Sequence, residues 1–378
     1  MSIMLIYLLK NKVLIVFASC LLMVNMSTNA QCNGFEELCA KSYQQIAYLT
    51  SHNAFASSED GFYFPNQNLN IPNQLNMGVR ALMLDIYDVD GELFLYHSVT
   101  ELGSTELNIV LNQIKDFLIN HSNEVITLIL EDYSTSIALS NAFEISGLSA
   151  YLFEYSDINA WPTLQEMIDS NKRLVVFTDN DDENAPSSHH FLWSHAVETH
   201  YDNMSATNFS CDYNRGDEEN DLFIFNHFIN NYLLYATNPE AYLSEVQLIN
   251  SYEFLSNRVM ECISLTNKFP NFITVDFVDY GEAHQLVNEL NDLPETNVNE
   301  TKYAFHIFPN PSNGKVFVET HQSVKHKSIK MINVMGNDIT PKIKISTINS
   351  LLSLDISDLK NGLYFLQINN FNTRILKQ

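Results

Sequence analysis

The residues of this chain best suited to chemistry stand at the ends of short apolar runs. After Ile46 to Thr50 comes Ser51-His52-Asn53, after Val79 to Leu84 comes Asp85, and after Leu93 to Tyr96 comes His97. Val125 to Leu130 leads into Glu131 and Asp132, Leu174 to Phe177 into Asp179, Leu222 to Phe225 into Asn226-His227, and Phe272 to Val275 into Asp276. A single polar terminus means little, because strands must end and their ends are solvated. Seven in order that favour His, Asn and carboxylates over Ser, Gly or Lys are another matter. Histidines move protons near neutral pH, and Asn, Asp and Glu oxygens suit hard cations. The pattern predicts one rim lined with ligating and proton-transferring groups, at the strand ends where parallel sheets place their chemistry.

The elements that must position these groups follow from hydrophobic periodicity. Between or after the runs lie segments with apolar residues at three-to-four spacing, namely Leu107 to Asn120, Leu164 to Asp169, Leu243 to Val259 and Glu282 to Leu290. Apolar runs buried on both faces and separated by helices indicate a parallel α/β arrangement. Seven runs in this length suit a closed or slightly irregular β/α barrel, with an open doubly wound sheet as the alternative. No Gly-rich loop follows the first run, which argues against a dinucleotide site.

Lys10 and Lys12 precede the apolar stretch Val13 to Val24, and Thr28-Asn29-Ala30 supplies small residues before Gln31, so residues 1–30 read as a secretory signal. The apolar stretch is too short for a comfortable membrane span. Its removal leaves Cys32, Cys39, Cys211 and Cys262. In an exported chain this favours two disulfides, for which we expect Cys32 with Cys39 and Cys211 with Cys262.

Charge divides the rest. Residues 31–302 carry a net −32 and residues 303–378 a net +5. Two modules are therefore expected, a large one over 31–290 and a small one over 303–378, joined by the polar, unpatterned stretch 291–302. In the small module, Phe317 to Glu319, Ile329 to Val334, Leu351 to Ile356 and Tyr364 to Ile368 alternate like strands of a β-sandwich, with turns at Asn313-Gly314, Gly336-Asn337 and Asn361-Gly362. The strong negative charge of the large module excludes nucleic acid and anionic membrane surfaces as electrostatic partners. A phosphate-containing substrate would need local positive charge, which a bound cation could supply.

Over roughly residues 45–290 the motifs resemble the phosphatidylinositol-specific phospholipase C X-domain superfamily. The resemblance rests on Ser51-His52-Asn53-Ala54-Phe55, Gly78-Val79-Arg80 leading to Asp85, Tyr96-His97, Val125 to Glu131, and Val275-Asp276-Phe277. It implies a distorted TIM barrel with two-histidine catalysis: His52 as general base on the attacking hydroxyl, His97 as general acid on the leaving oxygen, and Asp276 orienting His52. Asp85 falls where the family's metal-independent members carry an arginine and its calcium-dependent members an acid. With Asn53 and Glu131 it implies three oxygen ligands for a divalent cation, calcium, with Mg²⁺ as the alternative. Met83 replaces a second acid of that pattern, so Asp88, Asp132 or water would complete the set. Ser98 replaces a common glycine. The run Asp179 to Glu183 lacks the lysines that hold extra ring phosphates, so polyphosphorylated headgroups are not expected. Arg215 could meet a substrate phosphate or form a structural ion pair.

Residues 303–378 resemble the C-terminal sorting domain of the type IX secretion system of Bacteroidetes. This resemblance rests on Phe308-Pro309-Asn310-Pro311-Ser312-Asn313-Gly314, Val334-Met335-Gly336, Leu354 to Leu359 and Asn361-Gly362-Leu363-Tyr364. It implies secretion or surface attachment in a Gram-negative cell, with the secretion machinery as partner. The expectation is thus a secreted, monomeric phosphodiesterase without a transmembrane span after signal removal, acting on an inositol phospholipid or similar phosphodiester. The alternatives are a glycerophosphodiesterase-like or sphingomyelinase-D-like enzyme and a non-catalytic surface binding module.

Overall fold

A computed structural model describes residues 31–97, 99–156, 161–292, 305–308, 312–320, 329–333, 338–348, 351–368 and 371–377. The expected signal (1–30), Ser98, most of the expected linker and the Gly336-Asn337 turn lie outside them. Contacts divide the chain into two units, with the boundary after Glu295.

In the first unit the apolar runs form strands β1 (Tyr48–Ser51), β2 (Ala81–Val89), β5 (Ile126–Tyr133), β6 (Leu174–Thr178), β9 (Leu222–His227) and β10 (Phe272–Val275). Two three-residue strands not anticipated from the sequence, β7 (His189–Phe191) and β8 (Ala196–Glu198), complete the row β7-β6-β5-β2-β1-β10-β9-β8. Every neighbour in that row is parallel. The sheet curls into a distorted β/α barrel, and among the described residues no ladder joins β7 to β8.

The run ending at His97 is not a barrel strand. β3 (Glu92–Leu95) returns antiparallel along β2, pairing Ile86 with Leu95, and then pairs with the short β4 (Thr105–Glu106). The hairpin turns at Asp90-Gly91, both with positive φ, and the Asp88 carboxylate accepts from the Gly91 amide.

Helices cover the outside. Leu107–Asn120 is helical over its expected span, burying Leu107, Val110, Leu111, Ile114, Phe117 and Leu118 along one face. Leu164–Asp169 also matches, closed at its start by a Thr163–Glu166 capping box. The helix expected over Leu243 to Val259 is instead two helices, Pro239–Ile249 and Tyr252–Thr266. The break has a physical cause. Asn250 turns its amide to the Asp276 carbonyl at 2.8 Å, and its own carbonyl accepts from Glu282. Gly281 (φ +70°) allows this approach, because a Cβ there would stand 2.0 Å from the Asn250 oxygen. Helices Ile71–Met77, Ser136–Ser146 and Tyr232–Thr237 were not anticipated. Both expected disulfides, Cys32–Cys39 and Cys211–Cys262, are formed.

The second unit holds two antiparallel sheets. One has four strands, Phe305–Phe308, Lys315–Thr320, Leu351–Asp355 and Lys344–Ile348 in that order; the other has three, Ile329–Asn333, Gly362–Ile368 and Phe371–Lys377. Val316, Val318 and Leu354 from the first and Met331, Leu366 and Ile375 from the second share one core.

His227 shows how the outer layer constrains ionisation. Its Nε2 lies 2.9 Å from the Ile249 carbonyl, and its Nδ1 lies 3.0 Å from the Arg258 guanidinium, a donor only. The ring must therefore be neutral with its proton on Nε2. Burial, reinforced by Arg258, pushes it down to about 3. Its folded value lies below the unfolded one, so the stability it supports is full above pH 6.5 and is lost as pH falls toward 3. Replacing it by Gln should flatten the pH dependence of the unfolding free energy between pH 6 and 4 by about 1.4 kcal/mol per pH unit, measured by urea titration. An unchanged slope would refute the neutral-ring assignment.

Candidate active site

Strand side chains alternate faces, and this alternation selects the residues that meet. Counting up β1, β2, β5, β6, β9 and β10 from inner residues Tyr48, Ala81, Thr127, Val175, Leu222 and Phe272, every second position faces the barrel interior. These inner residues pack mainly with one another, whereas Leu49, Leu82, Leu128, Val176, Phe223 and Ile273 pack outward against the helices. The next inner layer is Thr50, Met83, Ile129, Phe177, Ile224 and Thr274. The one above it is His52, Asp85, Glu131, Asp179, Asn226 and Asp276, polar at every position. Glu198, at the end of β8, joins the same rim.

A cleft of about 310 Å³ opens over this layer, lined by His52, Asn53, Asp85, His97 and Glu131 among others. The structure therefore brings together five of the six expected site residues directly, and Asp276 reaches the site through His52. The His52 Nδ1 lies 2.8 Å from Oδ1 of Asp276, whose side chain is only 1% exposed. A carboxylate only accepts, so the ring donates from Nδ1 and keeps Nε2 as an acceptor. Phe228 stacks on the imidazole at 3.7 Å between centroids. Asn66 ties the loop together, donating to Asp276 at 3.1 Å and accepting from Asn53 at 3.3 Å. Asn53 itself holds φ +43°, a left-handed conformation that Asn tolerates better than most residues.

His97 arrives from the hairpin and stacks on Tyr232 with centroids 5.3 Å apart. Burial and the proximity of His52 lower its pKa, opposed by Glu131 and Asp276. Asp85 and Glu131 are direct partners on adjacent strands. Asp85 is 7% exposed, and its carboxyl is pushed well above the usual range by burial and by repulsion from Glu131 and Asp179. The Glu131 carboxylate accepts from the Tyr133 hydroxyl, and Tyr133, Tyr87 and Tyr96 form a continuous stack.

Two of the expected substitute ligands need correcting. Asp88 caps the hairpin turn, and Asp132 faces outward, where it accepts from Ser134 and Thr178, so neither stands where Met83 leaves the ligand set short. Asp179, one inner position above Phe177, lines the cleft instead. Met83 forms part of the cleft floor. Arg80 is structural, bound to Glu124 and to the Leu75 and Val79 carbonyls at the opposite end of β2. Arg215 forms the structural ion pair. Its Nε donates to Glu198 at 2.5 Å, its guanidinium lies between Trp193 and Tyr201 at 4.4 and 4.7 Å, and among the described residues it is the only Lys or Arg lining the cleft. Asn66, Phe228 and Tyr232 escaped the sequence reading because they lie in loops or just past a strand, where no period marks them.

Among the described residues no three His, Cys, Asp or Glu side chains are gathered as a ready-made metal cage. The carboxylates lining the cleft are Asp85, Glu131, Asp179 and Glu198, the last of them paired with Arg215, and Asn53 adds a neutral donor. Converging carboxylates that repel one another, one of them desolvated, are a donor set that suits an oxygen-preferring cation.

Residues 38–291 match the PI-PLC X family, and residues 306–378 match the secretion system C-terminal sorting domain. The chain belongs to the PI-PLC X domain family. It ends in a type IX sorting domain, which makes it a secreted or cell-surface protein directed to that machinery. A PI-PLC X domain-containing protein of Arabidopsis thaliana is 29% identical over 281 residues, covering 66% of this chain and 62% of that protein. An uncharacterized secreted protein of Arthroderma benhamiae is 26% identical over 289 residues, covering 69% and 64%. The chain thus spans under two thirds of the length of these curated relatives. A mutant phosphatidylinositol-specific phospholipase C from Staphylococcus aureus aligns over 68% of this chain and 94% of its own at 14% identity, with a TM-score of 0.45. No helix of the described residues is long and apolar enough to cross a membrane.

The raised Asp85 carboxyl has a consequence for stability. A carboxyl whose folded pKa lies above its unfolded value costs stability once pH exceeds both, and the cost fades as pH falls. Asp85→Asn should raise the thermal midpoint in EDTA at pH 8 by a few degrees, and the gain should shrink toward pH 4. A variant less stable than the parent at pH 8 would contradict the charge-repulsion account.

Proposed function

We propose that the chain is a phosphoric diester hydrolase of the phospholipase C type, acting on an inositol phospholipid or a similar phosphodiester. The observation that carries this reading is the placement of His52, backed by Asp276, and His97, delivered by a separate arm, on one cleft. Family membership supports phosphodiester chemistry in general; the substrate headgroup and the ligand roles are our inference.

In-line displacement at phosphorus needs a proton removed on one side and delivered on the other. His52, with Nε2 as acceptor, takes the proton of the attacking hydroxyl as its oxygen bonds to phosphorus. Asp276 fixes the tautomer and stabilises the imidazolium that results. As the bond from phosphorus to the leaving oxygen breaks, His97 supplies its proton. The lowered pKa of His97 in the empty cleft is countered once a phosphate anion lies beside it, since negative charge favours the protonated ring. An inositol 2-hydroxyl as nucleophile would give a cyclic phosphate; water would give the open product.

Asn53, Asp85 and Glu131 would hold a divalent cation, with Asp179 in reach as a further oxygen donor. Such an ion, when bound, would neutralise phosphate charge and polarise its oxygens. Tyr133 keeps Glu131 turned toward the cleft, and Arg215, fixed by Glu198, adds the positive charge the chain itself supplies.

With phosphatidylinositol dispersions as substrate and products read by phosphorus NMR, His52→Ala and His97→Ala should each lower kcat/KM by about 10²–10⁴-fold. Full activity in either variant would remove that residue from the mechanism. EDTA should abolish turnover and added Ca²⁺ should restore it; indifference to both would dismiss the cation. Choline release from choline lipids, with inositol lipids untouched, would favour the sphingomyelinase-D-like alternative.

A further inference from the structure

His52 and Asp276 meet where two parallel strands diverge. β1 and β10 pair from Tyr48 with Phe272 to Ser51 with Val275, and the His52 amide adds a last bond to the Val275 carbonyl at 3.1 Å. Past that point both backbones turn away. Asn53, directly after His52, holds φ +43°, and Phe277, directly after Asp276, holds φ +49°, a left-handed conformation that a bulky aromatic residue adopts only under constraint. Such backbone persists where its surroundings over-determine it. With the ladder finished, something other than strand pairing must hold the two ends at the separation that lets their side chains meet.

That constraint comes from a dipeptide in the segment between β1 and helix Ile71–Met77. Asn66 reaches both left-handed turns: its carbonyl accepts from the Phe277 amide at 2.8 Å, and its side chain bonds Asn53 and Asp276. Gln67, fully buried, acts on the backbone. Its Nε2 donates to the carbonyls of His52 at 2.8 Å and Val275 at 3.2 Å, and its Oε1 accepts from the Val278 amide at 3.0 Å. A primary amide offers donors and an acceptor much as a peptide group does, so this side chain continues the ladder for one more rung after the strands part. The segment is itself anchored, because the Asn66 and Gln67 amides both donate to the Ala56 carbonyl and the Gln67 carbonyl accepts from the Ser58 amide.

We propose that Gln67 is a positioning residue for the general base, fixing the His52 backbone against that of Asp276 so that the ring keeps its proton on Nδ1. The inference rests on the proposed role of His52. The tautomer of a neutral imidazole is set by the hydrogen bond at its other nitrogen. A carboxylate that drifts from Nδ1 therefore lets the proton move to Nε2, the atom that must accept. The competing explanation is that Gln67 is a buried amide that only stabilises the barrel, and the fold contains a control for it. Asn271, also fully buried, stands just before β10, at the opposite end of that strand from the dyad. It donates to the Gln44 and Ile46 carbonyls at 2.8 and 3.1 Å and accepts from the Phe223 amide at 3.0 Å. Two buried amides thus carry the same hydrogen-bonding load, and one of them adjoins the dyad.

The ring nitrogens of His52 report the tautomer without turnover. In the full chain labelled with nitrogen-15 histidine, in EDTA and without substrate, the His52 signals are identified by their loss in His52→Ala. The unaltered protein should show the neutral ring with its proton on Nδ1. Gln67→Met, similar in size but without the amide, should shift the signals toward the Nε2-protonated form. Gln67→Asn, which keeps the amide and withdraws it by one carbon, should shift them the same way and carries the test if the Met variant does not fold. Asn271→Leu should lower the thermal midpoint and leave the His52 signals in place. With phosphatidylinositol as substrate, Gln67→Met should lower kcat by about 10- to 100-fold with KM little changed. Unmoved His52 signals in both Gln67 variants overturn the assignment. So does an equal shift in Asn271→Leu, which would make the effect one of general stability. The two readings fail separately: a protein inactive on every phosphodiester whose His52 tautomer still depends on Gln67 keeps the positioning role and loses the hydrolase, whereas an active protein whose tautomer ignores Gln67 loses the positioning role alone.

Discussion

A β-strand presents alternate side chains to opposite faces, and each proposed assignment in the barrel depends on that alternation. In a closed or nearly closed sheet the inward positions stack in layers, and here the two lower layers consist mainly of bulky or uncharged side chains. The third layer has no apolar partner above it and is polar on every long strand. Parity also explains the exceptions. Asn226 and His227 are neighbours in sequence, yet Asn226 joins the inner rim while His227 turns outward and is locked in neutral form between Ile249 and Arg258. Glu131 and Asp132 divide in the same way.

The cost of this arrangement is electrostatic. Asp85, Glu131 and Asp179 crowd one side of the cleft, and burial weakens the screening that would let them coexist as anions. The chain's own answer is small, since among the described residues the one arginine lining the cleft is already committed to Glu198 and held between two aromatic rings. A site that binds phosphate while presenting carboxylates is therefore incomplete as a purely protein device. That incompleteness, rather than a preformed cage, is what supports a cation in the proposed chemistry.

Much of this was legible in the sequence, and the illegible parts share physical causes. The helix Leu107–Asn120 shows its full span because one face is continuously apolar over four turns. The inner rim was visible because strand length and polar termini coincide. The strands β7 and β8 are three residues each, too short for a period to emerge. The helix break at Asn250 is set by a hydrogen bond to the Asp276 carbonyl, 26 residues away, which no local pattern encodes. Leu93 to Tyr96 looks like any buried run, and only the Asp90-Gly91 turn signals that it folds back. Asp179 was recognised as a strand end, but its approach to Asp85 depends on sheet curvature.

That folded-back arm separates the two proposed proton carriers mechanically. His52 is set in the barrel wall, its ring clamped by Asp276 and Phe228. His97 stands just past the end of the returning strand β3, beside the rim. Changes in the length or sequence of that arm can accumulate without disturbing the strand that carries the base. On the proposed mechanism, a lineage built on this scaffold can diversify what departs from phosphorus while keeping what attacks it, and grafting hairpins between relatives offers a direct route to new leaving-group preference.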